Sequence, residues 1–212
     1  MHSDSVRIRG YQPADLDDLY RICLLTADSG QDATALFSEP RLPGEIFAAP
    51  YGALEPELAF VAEDRDGVAG YVLGALDSRA FEERLERDWW PASRLRYPKL
   101  PPDQMVALSE PERAMRRHIH QPRTAHGDLA RRFPSHLHID LLPRAQGRGL
   151  GQRMMQTLLT ALRAQGSPGV HLFVSRGNGR GIAFYQRLGM TELPAPADSP
   201  GRIFALDLTR AS

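Results

Sequence analysis

A glycine-rich run lies between an apolar strand pattern and an amphipathic helix pattern in the second half of the sequence. The run, which we call the glycine loop, reads Gln146-Gly147-Arg148-Gly149-Leu150-Gly151. Glycines at the start of a helix present unpaired N–H groups at the positive end of the helix dipole and let an anion approach the backbone. The glycine loop therefore predicts a phosphate-binding site. It lacks the Gly-Lys-Ser/Thr ending of a P-loop and the Gly-x-Gly-x-x-Gly spacing of a dinucleotide fingerprint.

A second motif follows the next strand pattern. It reads Asn178-Gly179-Arg180-Gly181-Ile182-Ala183-Phe184-Tyr185-Gln186-Arg187-Leu188-Gly189-Met190. Asn178 suits the N-cap of a short helix, and Gly189 suits its C-cap. Tyr185 lies on that helix, and a phenol with an ordinary pKa near 10 stays protonated at neutral pH and is able to donate a proton.

Three polar residues alternate along the strand that precedes the glycine loop. His136, His138 and Asp140 are two apart, so their side chains project from one face of the strand. Histidines at this spacing are able to share a zinc ion. However, Asp140 is followed by Leu141, and His171 is the only later histidine. We therefore expect no metal site. For each of the three residues the alternative to a catalytic role is a purely structural one, and we favour the structural role for His136.

Charge is unevenly distributed along the chain. The sequence has 26 basic and 26 acidic residues, but residues 141–191, which we call the acid-free stretch, contain no acidic residue. Its arginines are Arg144, Arg148, Arg153, Arg163, Arg176, Arg180 and Arg187. The stretch therefore carries a formal charge of +7 and the rest of the chain −7. A compact phosphorylated molecule needs only such a local field, whereas duplex nucleic acid needs a broad one, so we expect no nucleic-acid partner.

Composition places few other limits on function. The chain has 212 residues, is 42% hydrophobic and contains one cysteine, Cys23, which excludes a disulfide framework. No apolar run reaches the roughly 18 residues of a membrane helix, and the N-terminus lacks the pattern of a signal peptide. We therefore expect a cytoplasmic, soluble protein without a membrane partner, folded as a single domain over residues 1–212.

Hydrophobic periodicity predicts alternating strands and helices. Strands are expected at 6–9, 58–63, 68–76, 136–142, 170–174 and 203–208, and helices at 13–27, 150–165 and 178–188. Residues 28–57 are irregular, with room for a short second helix. Residues 78–135, which we call the insert, carry charged helical segments at 79–88 and 110–119, separated by Trp89-Trp90-Pro91 and Pro101-Pro102. This order indicates an α/β (α+β) protein with one central mixed sheet.

Taken together, the two motifs resemble the signatures of the GNAT superfamily of N-acetyltransferases. The matching positions are Gln146, Gly149 and Gly151 in the first motif and Asn178, Tyr185, Gly189 and Met190 in the second. Residues 134–143 and the helical insert before them are most similar to bacterial acetyltransferases related to the acetyltransferase-like domain of O-GlcNAcase. The resemblance implies a mostly antiparallel sheet that splays between its fourth and fifth strands.

The resemblance also implies a cosubstrate, acetyl-CoA, bound in the splayed gap. Backbone groups of Leu141 and Leu142 would pair with its pantetheine arm. Its pyrophosphate would be held by N–H groups of Gln146, Gly147, Arg148, Gly149, Leu150 and Gly151. The side chain of Arg148, with Arg144 or Arg153, would neutralise phosphates. Asn178 would either contact the pantetheine or cap its helix.

For catalysis, the resemblance implies direct acetyl transfer to a primary amine in a ternary complex. Tyr185 would be the general acid, and Asp140 or His138 would be a base acting through water, with His136 as a third candidate. The acceptor stays open among a small amine, an aminoglycoside-like compound, a peptide N-terminus and a lysine, and the protein is expected to be a monomer or homodimer. The alternatives are a non-catalytic CoA-binding module and, more distantly, a zinc hydrolase.

Overall fold

The computed structural model describes residues 6–122, 124, 127–195 and 199–209. Its strands are β1 (Arg7–Gly10), β2 (Ala59–Asp64), β3 (Gly67–Ala75), β4 (Ser135–Leu141), β5 (Gly169–Ser175), β6 (Thr191–Leu193) and β7 (Gly201–Asp207). Its helices are α1 (Leu16–Leu24), α2 (Leu42–Phe47), α3 (Ala49–Leu54), α4 (Ser78–Arg84), α5 (Trp90–Arg96), α6 (Pro102–Ala107), α7 (Glu110–His120), α8 (Asp128–Arg132), α9 (Leu150–Ala164) and α10 (Gly179–Arg187).

All seven strands form one sheet in the order β1-β2-β3-β4-β5-β7-β6. Every neighbouring pair is antiparallel except β4 and β5, which run parallel. These two strands pair only at their beginnings, where Ser135 lies opposite Val170 and His136 opposite His171. Beyond these residues β4 and β5 part. The predicted mixed, mostly antiparallel sheet with a splay between its fourth and fifth strands is confirmed.

The sheet separates two apolar clusters because side chains alternate between its faces. On one face, α1, α2 and α3 pack with the insert around residues such as Leu19 and Tyr71. On the other face, α9 and Tyr185 of α10 pack against β4 and β5. Leu137 of β4 belongs to this second cluster, so His136, His138 and Asp140 point to the first face. The three polar residues of β4 thus share one face of the sheet.

The insert packs against the first face. Phe81, Trp90 and Ile119 are each at most 2% exposed and belong to the same cluster as α1 and β3. A single domain for the chain remains a prediction, which this shared cluster supports. The tryptophan pair does not separate two helices as expected: residues Leu85–Trp89 form a π-helical turn that connects α4 with α5. The wider turn accommodates Pro91, whose ring would clash with an ordinary α-helix.

The structure contains further elements that periodicity did not predict. Residues 28–57 hold two short helices, α2 and α3, each with a proline near its start. The edge strand β6 has three residues, too few for an alternating pattern to be recognised. Helices α6 and α8 of the insert are almost as short. Within the described residues, no helix is both long and apolar enough to cross a membrane.

Candidate active site

Where β5 diverges from β4, backbone groups along the edge of β4 face the gap. The N–H of Leu142 donates to Ala69 O of β3 at 2.8 Å, and hydrogen-bonding residues alternate along an antiparallel pair. The N–H and C=O groups of Ile139 and Leu141 therefore face away from β3, toward the gap. The C=O of Leu142 accepts a bond from Ala145 N at 2.9 Å. Of the two residues predicted to pair with a ligand, Leu141 is thus the one with its backbone at the gap.

The glycine loop lies at the wide end of this gap. Gly147 and Gly149 have φ angles of +82° and +71°, a left-handed conformation that strains residues with a Cβ atom. A Cβ atom at either position would have nothing within 4 Å, so this part of the loop borders open space. Within the described part of the chain, the N–H groups of residues 147–151 have no acceptor. Unpaired N–H groups at the start of a helix, here the 15-residue helix α9, are the arrangement that favours binding of an anion.

Gln146 connects the loop to both sides of the gap. Its Nε2 donates to Leu141 O at 2.7 Å, and its Oε1 accepts a bond from Arg180 Nη2 at 2.6 Å. Its backbone N–H donates to Pro143 O at 3.2 Å. The sequence predicted that this N–H would bind a phosphate. The structure instead uses it in the turn after β4, and the side chain links the end of β4 to the start of α10.

Gly151 and Asn178 have identifiable structural roles. A Cβ atom on Gly151 would lie 3.2 Å from Phe184 Cζ, so the glycine allows α9 and α10 to pack closely. The Oδ1 of Asn178 accepts a bond from Gly181 N at 2.8 Å and caps α10. Of the two roles left open for Asn178, the cap is therefore present. Its Nδ2 lies near the loop after α1, 3.9 Å from a Cβ atom built on Gly30.

The arginines near the glycine loop differ in their surroundings. Arg144 Nε donates to Asp64 Oδ2 at 2.9 Å, and this ion pair holds its guanidinium at the β2–β3 turn. Arg148 and Arg153 are exposed, and neither forms an ion pair with a described residue. Of the arginines predicted to neutralise phosphates, these two therefore have charges that no carboxylate compensates.

Tyr185 lies in the apolar cluster behind the gap. Its side chain is 9% exposed and packs against the rings of Phe184 and Phe204, with centroid distances of 5.4 and 5.9 Å. Burial raises the pKa of Tyr185 above its ordinary value, and the negative charge of nearby Asp140 raises it further. The phenol is therefore fully protonated at neutral pH. A hydroxyl that keeps its proton at neutral pH fits a proton donor.

Asp140 is the ionisable group with the most useful pKa at this site. Burial raises the pKa of its carboxyl to about 6, although the hydrogen bond from Tyr71 lowers it in part. Tyr71 lies directly opposite Asp140 in the β3–β4 register, and its hydroxyl donates to Asp140 Oδ2 at 2.6 Å. Sequence reasoning missed Tyr71. The signal was a hydroxyl-bearing aromatic residue in an otherwise aliphatic strand.

His138 is less basic than Asp140. Its ring lies among the rings of Phe47 and Tyr51, at centroid distances of 5.6 and 5.3 Å, and burial lowers its pKa to about 4. The imidazole is therefore neutral at pH 7 and accepts protons poorly. The lower pKa of His138 favours Asp140 as the base, which is also the position that the resemblance favours, and the assignment stays a prediction.

His136 has a structural environment. Ser78 Oγ donates its only proton to Pro134 O, so it accepts a bond from His136 Nδ1 at 2.7 Å. His136 Nε2 then accepts a bond from Tyr51 Oη, also at 2.7 Å. A metal would have to break these bonds before this ring could bind it. The described residues contain no group of three or more histidine, cysteine, aspartate or glutamate side chains arranged to hold a metal ion.

Comparisons with known proteins agree with this geometry. The sequence profile of the acetyltransferase (GNAT) family matches residues 117–190. The crystal structure of SsHAT is 37% identical and superimposes with a TM-score of 0.87, covering 96% of this chain and 98% of that one. Protein O-GlcNAcase of Rattus norvegicus is 31% identical over 186 residues, which are 88% of this chain but 20% of the rat protein. This chain thus spans about a fifth of the length of its curated relatives.

A solved structure with lower identity shares the fold. It is yncA of Salmonella typhimurium, described as a putative acetyltransferase with its cofactor acetyl-CoA, and it has a TM-score of 0.53 at 15% identity, covering 96% of this chain and 94% of that one. A mixed sheet that splits beside a glycine loop defines an acetyltransferase fold. The chain belongs to the acetyltransferase (GNAT) family and is an acyltransferase. The narrower resemblance to proteins related to O-GlcNAcase is also confirmed.

Proposed function

We propose that the protein transfers an acetyl group from acetyl-CoA to a primary amine by direct transfer in a ternary complex. The observation that carries this proposal is the gap between β4 and β5, which the N–H groups of residues 147–151 border at its wide end. Asp140 of β4 and Tyr185 of α10 lie on opposite faces of the sheet, and the charge of Asp140 raises the pKa of Tyr185. A proton acceptor and a proton donor on one site are the two groups that amide formation from a thioester requires.

The residues around the gap fit acetyl-CoA. The backbone N–H of Leu141, which faces the gap, suits strand-like pairing with a pantetheine amide, and the N–H groups of residues 147–151 suit a pyrophosphate. Arg148 supplies an uncompensated positive charge for a phosphate. The presence of acetyl-CoA in yncA, which has the same fold, supports this assignment. When bound, acetyl-CoA supplies the activated acetyl group.

The proton transfers are assigned to two side chains. Asp140 takes one proton from the ammonium form of the acceptor through a water molecule, which leaves a neutral amine able to form the new C–N bond. Tyr185 gives its proton to the thiolate sulfur as the C–S bond breaks. The second nitrogen-bound proton is lost as the amide forms and replaces the proton that Tyr185 gave. The reaction therefore releases one proton, which Asp140 passes to solvent.

The test has a binding part and a turnover part. Acetyl-CoA at about 100 times its Kd should raise the free energy of unfolding by roughly 2.7 kcal/mol. A panel of small amines, aminoglycosides and peptides should then include an acceptor whose kcat/KM rises with pH through about pH 6, because the Asp140 carboxyl must be ionised to take a proton. The proposal is contradicted if the protein binds neither acetyl-CoA nor CoA.

The second candidate is a CoA-binding module without turnover. Such a protein would gain stability from acetyl-CoA but would acetylate no amine at any pH. The favourable placement of Asp140 and Tyr185 makes catalysis the better proposal, since a binding module needs neither group. We further propose that the acceptor is a small-molecule or peptide amine and that the cytoplasm is the site of action.

A further inference from the structure

A buried line of three side chains ends at Asp140. Tyr71 is fully buried and Cys23 is 3% exposed. The Tyr71 hydroxyl donates to Asp140 Oδ2 at 2.6 Å, and the Cys23 thiol lies near enough to that hydroxyl to raise its pKa. Tyr71 comes from β3, Cys23 from α1 and Asp140 from β4. Three elements that are distant in sequence thus meet at one carboxyl group.

The direction of the bond to Asp140 follows from its proton content. A tyrosine hydroxyl has one proton, and Tyr71 gives it to Asp140 Oδ2. Burial raises the pKa of both Cys23 and Tyr71 above their ordinary values, so both groups keep their protons at neutral pH. The bond from Tyr71 therefore stabilises the ionised form of the carboxylate.

We propose that Tyr71 is a positioning residue that fixes the orientation of the Asp140 carboxyl group through Oδ2 and so prepares this group to take a proton from the acceptor amine. A tyrosine packed on all sides has little rotational freedom, so its hydrogen bond sets the orientation of the carboxyl plane. The bond also favours the charged form of the acid that burial disfavours. The proposal rests on the proposed function, in which Asp140 is the base.

The other groups that face Asp140 do not titrate near neutral pH. Helix α1 contributes Cys23, the turn after it contributes Thr26, and α10 contributes Tyr185, whose pKa is raised. Thr26 Oγ1 donates to Ile22 O at 2.8 Å. On β4, the pKa of His138 is lowered to about 4, and burial holds the pKa of His136 well below its ordinary value. Of these side chains, Asp140 is the one with a pKa between 5 and 8.

The test compares two tyrosines on the same face of the sheet. Tyr71→Phe removes the bond to Asp140, whereas Tyr51→Phe removes a buried hydroxyl bonded to His136. We expect Tyr71→Phe to move the acid limb of the kcat/KM profile upward by about one pH unit, because a hydrogen bond to a charged group is lost. Tyr51→Phe should leave the limb in place. A Tyr71→Phe profile that is lowered without a shift would overturn the proposal.

A second measurement does not depend on turnover. Carbon-13 NMR of the Asp140 carboxyl in the ligand-free protein should give a midpoint near pH 6 that rises in Tyr71→Phe. An unchanged midpoint would refute the role of Tyr71 even if no acceptor is found. A wild-type protein that acetylates nothing would refute the proposed function instead.

A non-disruptive substitution covers the case in which Tyr71→Phe does not fold. Incorporation of 3-fluorotyrosine at position 71 keeps the shape of the side chain and makes its hydroxyl a stronger donor. The midpoint of Asp140 and the acid limb of kcat/KM should then move to lower pH. A limb and a midpoint that both stay at the wild-type pH would contradict the proposal.

Discussion

Arginine has different surroundings in the insert and in the acid-free stretch. In the insert, arginines form ion pairs with nearby carboxylates: Arg84 with Glu55, Arg87 with Asp88, Arg94 with Glu86, Arg96 with Glu45, Arg113 and Arg117 with Glu110, Arg116 with Glu112, and Arg131 with Asp128. In the acid-free stretch, the described residues give a carboxylate partner to Arg144 alone. The same residue type thus holds structure together in one region and leaves positive charge uncompensated in the other.

Two buried carboxylates show how the insert is attached. Glu45 of α2 accepts bonds from Ser93 Oγ at 2.6 Å and Arg96 Nη1 at 3.1 Å, both in the insert. Glu112 of α7 accepts bonds from Ser38 N at 2.6 Å and Arg116 Nε at 3.2 Å. Buried charges persist only where they are paired in this way. Buried carboxylates therefore connect the insert with residues 38–45 outside it, while in the acid-free stretch the described residues give a carboxylate partner to Arg144 alone.

The largest expected effect is on turnover. Tyr185→Phe in the acid-free stretch should lower kcat by about 10²–10⁴-fold, because the thiolate loses its proton donor. The Kd for acetyl-CoA should stay within about twofold, since the glycine loop is unchanged. Tyr97→Phe, a buried tyrosine of the insert, is the matched control and should keep wild-type kcat. Steady-state kinetics at saturating acetyl-CoA would measure both, and an unaffected kcat in Tyr185→Phe would remove the assignment of the acid.

The next effect is on stability. Glu112→Ala should lower the free energy of unfolding by about 3–5 kcal/mol, because it leaves Arg116 buried without its carboxylate. Urea unfolding followed by circular dichroism measures this change. Glu110→Ala removes an exposed carboxylate of the same helix and should leave the unfolding midpoint nearly unchanged. Equal destabilisation by the two substitutions would contradict the distinction between buried and exposed pairs.

A smaller effect is expected on cosubstrate binding. Arg148→Gln should raise the KM for acetyl-CoA by about tenfold, because a charge-assisted bond to a phosphate is lost. The KM of the variant should also depend less on salt. Arg94→Gln in the insert, which removes the ion pair with Glu86, is the control and should not change this KM. If both variants bind acetyl-CoA equally well, the two regions do not differ in the way proposed.

The smallest effect is expected for a second arginine of the acid-free stretch, and it tests whether the location of a positive charge matters more than the total charge. Arg144→Gln removes the same formal charge as Arg148→Gln, but the Arg144 guanidinium is bonded to Asp64 at 2.9 Å. Its substitution should therefore change the KM for acetyl-CoA by less than about twofold. A tenfold rise in the KM would show that Arg144 leaves Asp64 to bind the cosubstrate.

The fold was largely predictable because its main elements carry strong periodic signals. The apolar residues of α9 repeat every four positions, and the strands on either side of the gap are marked by the motifs that follow them. The weak points were short elements. Strand β6 and helices α6 and α8 form because their neighbours cover them, and three to six residues do not carry a period of their own.

The site was predictable only in part. Residues in contiguous motifs, such as those of the glycine loop and Tyr185, could be assigned from spacing and resemblance. Tyr71 could not, because its function depends on a cross-strand register that pairs it with a residue far along the chain. For the polar residues of β4, the spacing in the sequence predicts that they share one face. Their different environments depend on the surrounding side chains: His136 is hydrogen-bonded to Tyr51, whereas burial raises the pKa of Asp140.

The sequence by itself determined the class of fold, the position of the glycine loop and the concentration of arginine in residues 141–191. These features are local, since glycine conformation, helix periodicity and formal charge are properties of neighbouring residues. The tertiary structure decided which arginines form ion pairs with carboxylates and which carboxyl group has its pKa raised to about 6. Both depend on burial and on distances between segments far apart in the chain, which no local pattern encodes.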